Sequence, residues 1–203
     1  MGDDAITAAA AGSLPLLGSG RTLTRPGATR ERALVRAAQQ GSEAAVEELF
    51  ARHWSAAYRA ALLVTGDRDA AEDIAQEAFL AALRALPSFD VRRPLRPWLH
   101  RIVVNRAIDF ARARALRSEV GSDAAGEPPA ATAVDRHAVG DDVAAALLAL
   151  GPEQRAVVVL RYLLEFTPGE IGAILGLPRG TVNSRLRRGL DALGHTIDED
   201  RSR

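Results

Sequence analysis

Apolar residues recur at helical spacing through most of the chain after residue 30. One helix is predicted after Ser42, a residue type that caps helices, and a second opens with the capping-box-like pair Asp69 and Glu72 and ends at Pro87. A third begins near Pro97 and runs through an arginine-rich stretch. The positions expected on the buried face of the first helix are Val46, Leu49, Phe50, Ala57, Tyr58 and Ala61. No segment alternates convincingly as a strand does, so the sequence predicts an all-α fold.

The helical pattern is interrupted once, which divides the chain into two small domains. Residues 31–117 and 141–193 carry the helical periodicity, and residues 118–140 are rich in turn-forming and acidic residues, which is typical of a flexible linker. Residues 1–30 are interpreted as a disordered leader and residues 194–203 as a short tail. The leader lacks the basic start and long apolar core of a secretory signal, and no apolar run approaches the ~20 residues of a membrane span. We therefore expect a cytoplasmic protein without membrane insertion.

Composition removes several classes of chemistry. The 203 residues include no cysteine, which excludes disulfides, thiolate metal sites and a cysteine nucleophile. The four histidines are isolated from one another, and neither a Gly-x-Ser-x-Gly elbow nor a phosphate-binding glycine loop is present. The sequence therefore predicts no catalytic residue, no metal site and no cofactor.

A formal net charge of zero conceals a strongly basic segment. The chain has 26 basic residues, all of them arginine, and 26 acidic ones, but residues 92–117 hold 8 arginines against a single acid, Asp109. Such a local excess favours binding of a polyanion, although a solvated helix face is the plainer alternative.

The second domain contains a helix-turn-helix pattern. Thr167, Pro168 and Glu170 form a helix start, Gly176 supplies a tight turn, and a second helix follows. Arginine pairs with guanine in the major groove while serine and threonine hold phosphates, so this pattern is typical of DNA binding. An ordinary helical hairpin remains the alternative. The exposed candidates for DNA contact are Arg179, Thr181, Ser184, Arg185 and Arg188.

The basic helix of the first domain suggests single-stranded DNA. On an ideal helix Trp98, Arg101, Asn105, Asp109 and Arg112 share a face away from the apolar stripe of Leu99, Val103, Ala107 and Phe110. Aromatic rings stack on unpaired bases, and guanidinium groups hold phosphates. Two alternatives stay open, a half-buried core position for the tryptophan and a scaffold role for the aspartate beside an arginine.

The helix before it has a different character. Asp73, Gln76, Glu77 and Leu80 lie on one face, opposite its alanines and Ile74. An acidic face with one apolar residue suits a basic protein partner better than DNA, and solvated surface is the alternative.

Four segments together resemble the sigma-70 family of RNA polymerase sigma factors, and most closely its extracytoplasmic-function (ECF) group. Residues 66–79 resemble the core-polymerase-binding region, and residues 97–109 the helix that melts promoters and reads the minus-ten element. Residues 180–188 resemble the helix that reads the minus-thirty-five element, and residues 150–155 the start of the same domain. The motifs occur in the family's order and spacing.

The resemblance implies a sigma factor, with the family's region 2 at 31–117 and region 4 at 141–193. Asp73, Gln76, Glu77 and Leu80 would face the clamp helices of the largest polymerase subunit, and region 4 would dock on the flap of the second-largest subunit. Promoter DNA is the other partner, and an anti-sigma factor is a common regulator in this group. The residues implied at the minus-ten element are Phe89, Arg93, Trp98, Arg101, Asn105 and Arg112.

The same resemblance implies a protein that joins the nucleoid during initiation and is not itself a catalyst. The alternative function is a stand-alone helix-turn-helix regulator whose first domain serves dimerisation or effector binding. One departure from the family is Gly172, which stands where the family usually has alanine and costs up to ~1 kcal/mol in helix propensity.

Overall fold

The computed structural model describes the backbone of residues 26–120 and 141–201 and the side chains of residues 28–117 and 143–194. Its described part is helical throughout, with no strand, as the sequence predicts. Most of the interpreted leader, 1–25, and most of the interpreted linker, 121–140, lie outside the described residues. The α-helices within the described residues are α1 (Pro26–Gln39), α2 (Glu43–Thr65), α3 (Arg68–Ala85), α4 (Leu95–Val120), α5 (Asp141–Ala149), α6 (Pro152–Val158), α7 (Pro168–Leu175) and α8 (Arg179–Arg201).

Helix boundaries differ from the sequence expectations at four places. Helix α1 begins at Pro26, inside the segment assigned to the leader, and α8 continues to Arg201, through the segment assigned to the tail. Helix α4 begins at Leu95, two residues before the expected start near Pro97. Pro97 fits in the first turn because a backbone N–H at that position has no intrahelical acceptor, so its absence costs no hydrogen bond. The cap of α3 is Asp67 rather than Asp69: its backbone is extended and its carboxylate accepts the Ala70 N–H at 3.1 Å.

The first domain packs α2, α3 and α4 around a core of small apolar side chains, and α1 covers α2. Val64, Val103 and Val104 are fully buried. The prediction that Phe50 is buried is wrong, since 40% of this residue is exposed beside its neighbours Trp54 and Phe79. Helix α1 also holds the turn after α3, because the side-chain amide of Gln39 donates to the carbonyl oxygens of Leu86 (2.9 Å) and Phe89 (2.8 Å).

The second domain contains the predicted helix-turn-helix. The Thr167 hydroxyl accepts from the Glu170 N–H, and the Glu170 carboxylate accepts from the Thr167 N–H at 2.8 Å, which completes a capping box. Gly176 ends α7 at φ 67°, a left-handed conformation that favours glycine. Helix α8 then packs on α6 and α7.

Gly172 has a steric role that helix propensity does not describe. A Cβ atom built on it would lie 2.7 Å from the backbone oxygen of Leu177, and the Leu177 N–H donates to the Gly172 oxygen at 2.9 Å. The turn therefore folds back onto α7 at a distance that leaves no room for a methyl group.

The two domains pack directly against each other. Helix α4 contacts α6 and α7, and α2 contacts α5 and α6. One apolar cluster contains core residues from both domains, including Val103 of α4 and Phe166 just before α7.

Candidate nucleic-acid and partner interfaces

Helix α4 does not present its tryptophan to solvent. Trp98 is only 9% exposed and packs on Phe89, whose ring centroid lies 4.7 Å away. The assignment of Trp98 to a polar face is therefore wrong and the alternative of a core position is correct. The physical reason is that α2, α3 and the second domain surround α4, so its apolar residues are buried on more than one side.

The polar side chains predicted on α4 are accessible to different degrees. Arg101 and Asn105 are half-buried, and Arg112 is exposed. The Arg101 Nε atom is buried with no hydrogen-bond partner among the described residues. Arg112 reaches the second domain, where its Nε donates to Glu153 Oε1 at 2.7 Å, and it also lies 3.7 Å from Asp109. The scaffold interpretation of Asp109 therefore matches its position.

The two DNA-binding candidates in the loop between α3 and α4, Phe89 and Arg93, differ in their exposure to solvent. Phe89 is buried under Trp98, whereas Arg93 is half-buried with its Nε 3.8 Å from Asp90 Oδ2. Arg92 hydrogen-bonds the same carboxylate and lowers the pKa of Asp90 to about 2. The loop therefore offers cations to a ligand, while its aromatic ring faces inward.

The predicted acidic face of α3 is fully displayed. Asp73, Gln76, Glu77 and Leu80 are all exposed, and Leu80 has 53% of its surface accessible. Gln76 donates to Glu72 at 3.2 Å, which orients the amide along the helix.

An apolar area continues this face, and the sequence interpretation missed it. Leu83 is 38% exposed and lies three residues after Leu80, a spacing that places both on one side of the helix. Phe50 of α2 lies beside it, and beneath them is a cavity of about 40 Å³ between α2, α3 and α4. The spacing of the two leucines was a signal available in the sequence, whereas the position of Phe50 depends on packing between helices.

The recognition helix α8 presents the predicted polar set. Arg179 and Arg188 are exposed, while Thr181, Ser184 and Arg185 are half-buried. The Ser184 hydroxyl donates to the Thr181 carbonyl oxygen at 2.9 Å. Its oxygen can still accept a hydrogen bond from another group. Val182 and Leu186 are buried and fix the helix on α7, so these side chains project from a supported surface.

His100 is a buried titratable group at the boundary between the domains. It has no exposed surface, and because a carbonyl oxygen only accepts, its Nδ1–H donates to the Arg96 oxygen at 2.9 Å. Its Nε2 has no partner among the described residues, and its ring lies edge-on to Phe166 at 5.2 Å. Burial lowers the pKa of His100 to about 4.

This histidine makes stability dependent on pH. In the unfolded chain this histidine takes up a proton near pH 6.5, whereas in the folded chain it does so only near pH 4. Its contribution to the free energy of unfolding is therefore complete above pH 6.5 and decreases as the pH falls toward 4. We expect unfolding free energy to fall by about 2 kcal/mol between pH 7 and pH 5 from this group. Denaturant unfolding at both values, compared with His100→Gln, measures it; an equal decrease in the variant would assign the effect to other groups.

Two further searches cover only the residues that the structure describes. No three histidine, aspartate or glutamate side chains in that part of the chain come together as a metal site. No helix within 26–120 or 141–201 is both long and apolar enough to cross a membrane.

Comparison with known proteins places this geometry in a family. The family model for Sigma-70 region 2 matches residues 49–117, and that for Sigma-70, region 4 matches residues 141–193. The ECF RNA polymerase sigma factor SigL of Mycobacterium tuberculosis is 36% identical over 171 residues, which are 82% of this chain and 97% of the relative. The chain belongs to the ECF sigma factors. This sigma factor is thus a transcription-initiation protein, not a stand-alone helix-turn-helix regulator.

Other relatives of this sigma factor agree. SigW of Bacillus subtilis is 29% identical and the match covers 78% of this chain and 92% of the relative. The solved structure of CnrH with the cytosolic domain of CnrY is 30% identical, with a TM-score of 0.64, and covers 84% of this chain and 98% of that one. RpoE of Bartonella quintana, solved with the anti-sigma factor NepR, shares the fold at 24% identity and a TM-score of 0.59.

Proposed function

We propose that the exposed face of α3 binds the clamp helices of the largest subunit of bacterial core RNA polymerase. The observation that supports this is the continuous strip formed by Asp73, Gln76, Glu77 and Leu80 on a helix inside the segment matched to region 2. Carboxylates steer and orient a basic partner helix, and burial of Leu80 with Leu83 adds apolar contact area. Region 4 contacts the flap of the second-largest subunit.

The promoter contacts divide between the two domains. Arg179, Thr181, Ser184, Arg185 and Arg188 of α8 read the minus-thirty-five duplex, with arginine on base edges and hydroxyls on phosphates. Arg93, Arg101, Asn105 and Arg112 hold the minus-ten strand during melting. Trp98 and Phe89 join them only if the loop between α3 and α4 rearranges, because the two rings pack on each other.

Reconstitution tests the function directly. Purified sigma factor and core polymerase should start transcription at a defined promoter set, mapped by sequencing of run-off products, while the sigma factor alone binds promoter duplex weakly. Tight sequence-specific binding to duplex DNA without polymerase, together with no stimulation of the core enzyme, would contradict the proposed polymerase and promoter contacts.

Arg185→Ala should selectively impair use of the upstream element. Loss of a bidentate base contact is expected to cost about 1–3 kcal/mol at promoters that depend on that element. Core-polymerase binding should remain close to that of the parent chain, because Arg185 lies on α8 and not on α3. Run-off transcription on templates with and without the element measures the first effect, and fluorescence anisotropy with core polymerase the second. Equal losses in both assays would contradict this assignment.

The proposal includes a regulator and a location. CnrH and RpoE were solved with CnrY and NepR respectively, the latter an anti-sigma factor. An anti-sigma protein that covers the acidic and apolar strip of α3 would compete with polymerase for the same residues. The sigma factor would act in the cytoplasm and join the nucleoid during initiation. Co-purification of the tagged chain from its host tests for such a partner.

A further inference from the structure

Helix α1 runs alongside the loop between α3 and α4 and contacts it through two side chains. Near the C-terminal end of α1, the Gln39 side-chain amide donates to the carbonyl oxygens of Leu86 and Phe89. About two turns earlier, the Arg32 guanidinium donates to the Arg92 oxygen at 3.5 Å. One side of α1 therefore lies against the loop to which minus-ten contacts are assigned.

A second arginine lies on the same side of this helix. On an ideal helix, which turns by about 100° per residue, Arg32, Arg36 and Gln39 fall within an arc of about 60°. Arg32 and Arg36 are both exposed, and they lie about 6 Å apart along the helix axis. We call this pair the α1 arginine face. Its two guanidinium groups can each reach a separate phosphate of a strand that lies along the loop.

The loop adds two further cations next to the α1 arginine face. Arg92 has 86% of its side chain exposed, and Arg93 has 39%. Asp90 is the acidic residue of the loop, and its carboxylate pairs with both. Four arginines therefore stand beside one carboxylate, which leaves the combined surface with a positive excess at neutral pH.

Two acidic residues of α1 and α2 are held by other partners. Glu31 Oε1 lies 3.0 Å from His53 Nε2 of α2. Glu48 pairs with Arg30 at 3.1 Å and with Arg52 at 2.8 Å. In the described part of the chain, no carboxylate forms an ion pair with the α1 arginine face. Its charge is therefore available to a ligand.

The chemistry of this surface favours a nucleic acid over a protein partner. Protein interfaces have an apolar core, whereas guanidinium groups hold phosphates without apolar contact. Within the residues that the structure describes, none of the exposed large apolar side chains lies on α1 or in residues 86–94. The surface therefore lacks the feature that a protein partner would bury and has the one that a phosphate backbone requires.

Resting on the proposed minus-ten contacts, we propose that the α1 arginine face binds phosphates of the single-stranded promoter DNA held at the loop between α3 and α4. Phosphate contacts position a strand without reading its bases, so Arg32 and Arg36 add affinity that does not depend on sequence. Helix α1 precedes residue 49, where the match to the family model begins. The contact therefore extends the DNA-binding surface of the first domain beyond the matched segment.

The salt dependence of binding to a single strand measures this contact in the whole chain without polymerase. The probe is a fluorescein-labelled thymidine oligonucleotide of about 20 nucleotides, titrated by anisotropy between about 50 and 200 mM salt. Each phosphate contact contributes about 0.7 to the slope of log affinity against log salt on a single strand. Arg32→Ala and Arg36→Ala should each reduce the slope by about 0.7 and weaken binding about three- to fivefold at ~0.1 M salt.

Arg59→Ala is the matched control for these variants. Arg59 is exposed on α2, about 16 Å along that helix from Glu48, so its loss should leave the slope at the parent value. Replacement of Arg32 and Arg36 by lysine should restore the slope, because lysine holds a phosphate as a point charge. A double alanine variant with the slope of the parent, or an equal decrease for Arg59→Ala, would overturn the proposal.

The second experiment tests the same contact in the assembled initiation complex. Core polymerase with the parent or with the double alanine variant is titrated against two mapped promoters, each with a preformed bubble at the minus-ten element. The variant should bind both about tenfold more weakly, with unchanged affinity for core polymerase. Loss of core binding with unchanged DNA affinity would indicate a protein contact and overturn the proposal. If the parent does not initiate with core polymerase, the proposed function fails instead, and the oligonucleotide slopes still decide whether α1 binds phosphates.

Discussion

Replacement of Arg155 by alanine should lower the free energy of unfolding by about 3–5 kcal/mol, because three buried carbonyl groups lose their donor at once. Burial lowers the pKa of Arg155 to about 10, so the guanidinium stays charged at neutral pH and donates strong hydrogen bonds. Its Nε has no hydrogen-bond partner within the described part of the chain, and removing it relieves a small penalty that does not offset the three lost bonds.

Denaturant unfolding followed by circular dichroism measures this effect, with Arg161→Ala as the control. Arg161 is half-buried and makes a single hydrogen bond of 3.4 Å to the Phe166 oxygen, so its replacement should cost less than about 1 kcal/mol. Equal losses in the two variants would show that water replaces the Arg155 donors.

Asp73→Arg should weaken binding to core polymerase by about 10- to 100-fold. The exposed carboxylate is replaced by a cation that would face a basic partner helix, and like charges at an interface cost several kcal/mol. Asp73→Asn, which keeps the shape and removes the charge, should give an intermediate loss. Fluorescence anisotropy of the labelled chain titrated with core polymerase, at two salt concentrations, measures the affinities.

The matched control for this reversal is Asp191→Arg, an exposed acid on α8 that undergoes the same change in charge. It should leave core binding within about threefold of the parent, a difference below 1 kcal/mol. Thermal melting of each variant separates a binding defect from a folding defect, since surface changes of this kind usually shift stability by less than about 0.5 kcal/mol. A loss shared by Asp73→Arg and Asp191→Arg would indicate a general charge effect and contradict a specific α3 interface.

The elements that sequence predicted well are those that local chemistry determines. The capping box of Thr167 and Glu170 and the left-handed Gly176 follow from neighbours within a few residues, and the structure confirms them. The exposed face of α3 was also predictable, because alanines at helical spacing mark the opposite side as buried. Family resemblance, carried by four short motifs, supplied the function that these patterns alone could not.

The misassigned residues depend on which helix lies against which. Trp98 appeared to be on a polar face because a single apolar stripe was assumed for α4, yet that helix is enclosed on several sides. Phe50 appeared buried for the converse reason, since its stripe on α2 is wider than the surface available to cover it. Arg155 and Glu153 had no signal at all, because their partners lie 91 and 41 residues away in the chain.

The hydrogen bonds from α1 to the loop between α3 and α4 extend the first domain beyond the segment that the family model matches. The family match begins at residue 49, whereas the amide that anchors the Leu86 and Phe89 carbonyls belongs to Gln39. Shortening the chain to the matched segment would preserve every loop residue and still release the loop from its only side-chain amide tether among the described contacts. The minimal unit that keeps this loop in its described shape is therefore longer than the family signature, and it includes Gln39 of α1.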